Sequence, residues 1–218
     1  LRSLVGSEMC IRDRSNTVRY ICNMVRSEKT RQYIIEKTAS IFNKKGYTGT
    51  YLSDLTDATG LTKGSIYGNF KDKNEVAVEA FRYNYKFQSE KILGKINQIE
   101  HSAEKMIAFL GHYKTEFKPI FQNGGCAILN TSVDADDGND LLKMEVTKSI
   151  QSWHKTIVSI LEDGANKNEI KNLDASVFAY RLIALIEGSI LLAKTLEKPE
   201  ILMESIDFLQ SEINSLKI

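Results

Sequence analysis

The chain is expected to be all-α. Its apolar residues recur three and four positions apart, it carries only two prolines, Pro119 and Pro199, and no segment alternates apolar with polar residues as a half-buried strand would. A length of 218 residues allows one large domain or two small ones and buries a core without staples. Cys10, Cys22 and Cys126 offer neither an even-numbered disulfide framework nor a metal spacing, which points to a reducing, cytoplasmic setting. With 29 basic and 28 acidic residues the net charge is +1, which excludes a wholly basic nucleic-acid coat and leaves room for a local DNA-binding patch. No apolar run approaches the roughly 18 residues of a membrane span, so no membrane partner is expected.

Residues 1–26 are set apart as a disordered or non-native leader. Leu1 to Arg14 has no helical or strand period, is too polar after Val5 for a signal peptide, and reads like translated adapter sequence. The basic residues Arg19, Arg26, Lys29 and Arg31 form either an arm touching DNA or a solvated tail. From Thr30, the spacing of Ile34, Ile35, Ala39 and Phe42 predicts a first helix, stopped at Lys44-Lys45-Gly46 by a glycine C-cap. After the loop Tyr47–Tyr51, Ser53 is expected to cap a second helix over Asp54 to Thr59, with Asp54 favourable in its first turn. Gly60 turns the chain, and Thr62 caps a third helix whose inward residues are Leu61, Ile66 and Phe70. So short a helix cannot stand alone and must lean on its neighbours. Its outer face carries Thr62, Lys63, Gly64, Ser65, Tyr67 and Asn69. These are the small and phosphate-friendly groups that a helix entering the major groove requires. Residues 27–75 are therefore read as a helix-turn-helix unit.

Residues 76–218 are read as a second helical domain. A helix runs from Asp72 past Phe87, with Tyr83 and Phe87 on one side and a kink expected at Gly94. Another, through Met106, Phe109, Leu110, Tyr113 and Phe117, is expected to end at Pro119. A turn at Phe121–Cys126 precedes a short helix from Ala127 to Thr131. The acidic stretch Asp134–Gly138 lacks the ligand pattern of a calcium loop and is expected to be a solvated connection. Two helices then carry the same four-three seam: Val146, Ile150, Trp153, Ile157 and Ile160 in one, and Leu202, Ile206, Leu209, Ile213 and Leu216 behind Pro199 in the other. Between them, Asp174 caps a helix apolar nearly all round, which must be buried on several sides. Glu187 within it must be paired or exposed, facing either a second chain or Arg181.

The segment from Thr30 to about Phe81 resembles the tetracycline-repressor (TetR/AcrR) family of bacterial transcription regulators. The residues that carry the resemblance are Phe42, Gly46 and Tyr47, then Gly60, Leu61, Thr62, Gly64, Ile66, Tyr67, Asn69 and Phe70, then Lys73 and Val76. The resemblance implies that Lys63, Ser65 and Tyr67 approach bases or phosphates. It also implies that Thr50 and Ser53 hold a phosphate at the start of the second helix, that Lys73 holds another at the start of the fourth, and that Gly64 lets the DNA backbone close. Two departures are Gly68, which offers no side chain to read DNA, and Asn69, which stands where His is more frequent.

The same resemblance implies a homodimer on a palindromic operator in double-stranded DNA, with the helices beginning at Asp174 and Pro199 forming the interface. It also implies a small apolar or amphipathic effector in the second domain. Tyr83, Phe87, Tyr113, Phe117, Phe121, Trp153 and Phe178, with Asn130, His112, His154 and Glu187 as polar partners, are the candidate chamber residues. An aromatic stripe at helical spacing is ordinarily core, and only the resemblance raises this set to a binding site. The alternative is a constitutive DNA-binding or scaffold protein with a filled core. Enzyme, cofactor and metal readings find no support, since the three histidines lack metal spacing and no phosphate loop or nucleophile motif appears. Cys126 after two glycines reads as a small buried hydrophobe or as an oxidant sensor.

Overall fold

In the computed structural model, residues 16–218 are described, with side chains from residue 27 onward. Leu1 to Arg14, with Cys10, and the side chains of Arg19, Cys22 and Arg26 lie outside the described residues. Ten helices follow one another, and no strand occurs among the described residues. They are α1 (Asn16–Lys45), α2 (Leu52–Thr59), α3 (Lys63–Tyr67), α4 (Lys73–Ile96), α5 (Ser102–Thr115), α6 (Phe117–Gln122), α7 (Ala127–Ala135), α8 (Asp140–Asn166), α9 (Ala175–Thr195) and α10 (Pro199–Leu216).

Helix α1 begins well before Thr30 because neither Gly nor Pro interrupts Asn16 to Lys45, so part of the expected leader is helical. It ends where Gly46 takes a left-handed conformation and its N–H returns to the Phe42 carbonyl at 2.9 Å. Gly60, at φ 68°, makes the turn out of α2. Thr62 caps α3 by accepting the Ser65 N–H at 3.2 Å. Ser53 does not cap α2, which starts two residues earlier than expected, at Leu52; instead the Asp54 carboxylate accepts the N–H of Tyr51 at 2.8 Å. Ile34, Leu55, Ile66, Phe70 and Val76 close one small core among α1–α4. Burial of these side chains stabilises α3, which as a single turn has little stability of its own.

Helix α4 leaves this core and enters the larger bundle, packing along α1 and against α5, α7 and α8. It runs unbroken through Gly94. The break near Pro119 falls earlier than expected. A proline excludes the carbonyl four residues before it, so α5 stops at Thr115 and Pro119 lies inside the next helix, α6. Asp134 is not in a solvated loop but in the last turn of α7, where its carboxylate accepts the N–H groups of Tyr47 and, at 3.3 Å, Thr48.

The seam of α10 packs inside the chain, Leu202, Ile206, Leu209 and Ile213 being buried against α5 and α9. Asp174 caps α9 as expected, accepting the Val177 N–H at 2.9 Å. Contrary to the sequence expectation, α9 is long and apolar enough by length and composition to cross a membrane. Its Leu182, Ile183, Ile186 and Ile190 are nevertheless buried in the bundle.

Candidate nucleic-acid interface and effector chamber

Helices α2 and α3 present one continuous outer surface. Ser53, Thr62, Lys63 and Gly64 are exposed on it, Ser65 and Tyr67 are half-exposed, and Ile66 between them is fully buried. A Cβ added at Gly64 would meet nothing nearer than Thr62 Oγ1 at 4.0 Å, so packing within the chain does not require a glycine there. Tyr51, which drew no attention in the sequence, stands out from the start of α2 at 68% exposure.

Three of the expected phosphate contacts are instead used to build the unit. Thr50 is fully buried and its hydroxyl donates to the Gly46 carbonyl at 2.6 Å. The Lys73 ammonium donates to the Tyr47 and Thr50 carbonyls at 2.8 and 2.9 Å and lies 4.1 Å from the centre of the Tyr47 ring. Asn69 donates from its amide to the Ser65 carbonyl at 2.8 Å, and its side-chain oxygen accepts the Ser27 hydroxyl. Arg31 is likewise a brace rather than an arm. It donates to the Asn69 carbonyl at 2.7 Å, pairs with Glu75 at 2.7 Å and covers the Phe70 ring at 4.2 Å. The exposed Lys71 is the cation left near the start of α4. Asp72 and Glu75 cap that helix in turn: Asp72 accepts the Glu75 N–H, and Glu75 accepts the Lys71 N–H.

The larger bundle holds a partly open cavity of about 200 Å³. Of the eleven residues expected to line it, Tyr113, Trp153 and His112 do. Tyr83 and Phe87 lie on the opposite side of α4, Phe87 at 51% exposure and stacked on Tyr83. Phe117 and Phe121 pack edge to face on each other, and Phe178 packs half-buried against the core. The Asn130 amide donates to the Asn43 and Gly124 carbonyls, both at 2.9 Å, and so fixes the turn before α7. The face of α4 that does line the cavity carries Asn84, Tyr85, Gln88 and Ile92. Phe81, Tyr85, Gln88 and Ile92 repeat at four, three and four, and a polar Gln in such an apolar register is the signal that sequence reading missed.

The chamber's polar groups are held uncharged. Burial, with Lys95 and Lys91 nearby, pushes the His112 imidazole down to about 4. Burial, and then the neighbouring Cys126 and Glu187, pushes the Tyr113 phenol well up. The Cys126 thiol lines the cavity and is raised by burial and then by the Glu187 carboxyl. Among the described residues Glu187 bonds to Cys126 rather than to Arg181. Its carboxyl accepts the Cys126 thiol at 2.9 Å, and burial raises it to about 7.

The chamber wall also includes Asn43 of α1, whose amide donates to the carbonyls of Asn123 and Gly125 at 2.6 and 3.1 Å. Asn84 of α4 donates to the Ala39 carbonyl of α1 at 2.8 Å. The two helices that frame the α2–α3 unit therefore form part of the cavity.

Comparison with known proteins agrees with this architecture. Residues 34–80 match the family model described as bacterial regulatory proteins, tetR family, and residues 102–209 match that of the tetracyclin repressor-like C-terminal domain. A TetR-family regulator from Cytophaga hutchinsonii superposes with a TM-score of 0.84 at 37% identity, covering 88% of this chain and 97% of that one. One from Chloroflexus aurantiacus gives 0.80 at 33%, covering 88% and 98%. The HTH-type transcriptional repressor DhaR of Mycobacterium sp. strain GP1 is 26% identical over 165 residues, 75% of this chain and 82% of its own length. The chain belongs to the TetR family of helix-turn-helix transcription regulators.

Proposed function

We propose that the chain is a homodimeric repressor that holds a palindromic operator through α2, α3 and the start of α4, and releases it when a small molecule fills the chamber. The observation that carries this reading is the chamber wall itself. A molecule pressing on Asn43 and Asn84 presses on the helices that position the recognition surface. Ser53, Lys63, Ser65 and Tyr67 are the DNA-facing side chains, and Gly64 fits a backbone approached closely by phosphate. Repression is supported by the relative DhaR, described as a repressor, and a chromosomal operator places the protein in the cytoplasm.

Dimerisation is assigned to the outward faces of α9 and α10. Val177, Tyr180, Leu191, Leu192 and Phe208 remain exposed there, an apolar patch of the kind that marks an interface. Two recognition helices related by a two-fold axis would meet successive major-groove faces of a palindrome.

The test is selection of bound sequences from random DNA, followed by an operator titration repeated in the presence of a metabolite library. A palindromic consensus, with at least one compound that weakens binding to it, supports the reading. Operator binding that no compound which binds the protein alters would favour a constitutive DNA-binding protein.

A further inference from the structure

The lining of the chamber selects the chemistry of its occupant, an inference that rests on the effector reading above. Among the described residues, no Asp, Glu, Lys or Arg side chain lines the cavity. Its walls combine Ile92, Phe109, Ile128 and Ile190 and the stacked rings of Tyr113 and Trp153, whose centres are 6.4 Å apart at 28°, with neutral polar side chains such as Asn84, Gln88, Ser152 and Thr156. A charged group entering this space would lose its water and gain no ionic partner. Glu187 is not part of the lining, and one oxygen of its carboxyl accepts the Cys126 thiol.

The polar groups that do line the chamber are neutral and incompletely satisfied. His112 Nε2 lies 3.2 Å from Gln88 Oε1, and its Nδ1 is a buried ring nitrogen without a hydrogen-bond partner among the described residues. The Trp153 indole N–H is a buried donor without an acceptor among the described residues. A ligand hydroxyl both accepts and donates. In size, an apolar cavity of about 150 Å³ takes a benzene, so about 200 Å³ takes one ring with a short substituent.

We propose that the effector is an uncharged single-ring molecule bearing a hydroxyl group, seated against Tyr113 and Trp153 with its hydroxyl on the His112–Gln88 side. Trp153 is the only tryptophan in the chain and forms part of the wall, so its emission reports occupancy directly.

The experiment uses the full chain and four probes of nearly equal shape at neutral pH: benzyl alcohol, toluene, benzylamine and benzoate. Each is titrated by Trp153 emission and by calorimetry. Benzyl alcohol is expected to bind at least tenfold more tightly than benzylamine or benzoate and several-fold more tightly than toluene. In His112→Phe the preference over toluene should disappear while toluene still binds. A charged probe binding as tightly as benzyl alcohol, or no probe binding up to its solubility, overturns the proposal. A preference for benzylamine that is lost in Glu187→Gln would make Glu187 the recogniser of a cation instead. Operator release is scored separately. Benzyl alcohol that binds without releasing DNA leaves this class standing and defeats the effector reading, whereas a charged probe that binds and releases DNA does the reverse.

Discussion

Tyr67 and Lys73 stand six residues apart, and the fold gives them different work. The Tyr67 ring is half-exposed on the outer face of α3, so Tyr67→Ala should weaken operator binding by about 1–3 kcal/mol and leave the unfolding midpoint nearly unchanged. Equal affinity in a titration of labelled operator would remove Tyr67 from the interface. The Lys73 ammonium holds two loop carbonyls, so Lys73→Met should cost about 1–3 kcal/mol of stability. The exposed Lys71 is the residue proposed to contact phosphate there. Lys71→Ala should lower the salt slope of binding by roughly one and weaken specific and nonspecific DNA alike. If Lys73→Met unfolds like the wild type and Lys71→Ala keeps the full slope, the two roles are exchanged.

Burial of two titratable groups also gives a signature in pH. Glu187 is raised to about 7 from an ordinary value of 4.5, so its contribution to stability is complete below about pH 4.5 and is lost as pH rises through 7. His112 is lowered to about 4 from 6.5, so its contribution is complete above about pH 6.5 and is lost as pH falls through 4. The two slopes oppose each other between those values. Relative to the wild type, Glu187→Gln should therefore gain stability as pH rises from 4.5 to 7, by up to about 3 kcal/mol. His112→Phe should gain as pH falls from 6.5 to 4. Chemical unfolding at fixed protein concentration across this range checks both signs. Parallel stability curves for wild type and variants would show that neither group is buried as described.

At the scale of elements, caps and turns were legible in the sequence because they are local. Thr62, Asp174, Gly46 and Gly60 each do what their type and position imply. What a helix faces is not local. The four-three seam of α10 is the same pattern whether it meets another chain or its own α5 and α9, and here it meets its own. Leu209→Glu would therefore break the core. Tyr83 and Phe87 miss the chamber in the same way, since each precedes a lining residue, Asn84 and Gln88, by one position and so points to the other side of α4. Lys73, Thr50 and Asn69 match the family pattern, yet their hydrogen bonds run to backbone carbonyls that only the folded loop brings near. The face of α9 left exposed in one chain now carries the assembly prediction. Tyr180→Glu with Leu191→Glu should convert a dimer into a folded monomer with unchanged helical content, measured by light scattering and circular dichroism. A wild-type protein that is itself monomeric at micromolar concentration would refute this interface.

For the whole molecule, α1 and α4 belong at once to the recognition unit and to the chamber wall, and Asp134 of α7 holds the turn between α1 and α2 by its backbone N–H groups. A ligand can move such an assembly only if it binds one arrangement more tightly than the other, and DNA must then change ligand affinity by the same factor. The most direct test is the dissociation constant of the selected operator, measured by fluorescence anisotropy with the chamber empty and with it saturated, saturation being followed by Trp153 emission. Filling the chamber should weaken operator binding by about 5–150-fold, and operator should weaken the ligand by the same factor. An operator affinity unchanged while Trp153 reports a filled chamber would contradict the coupling on which this account of the protein rests.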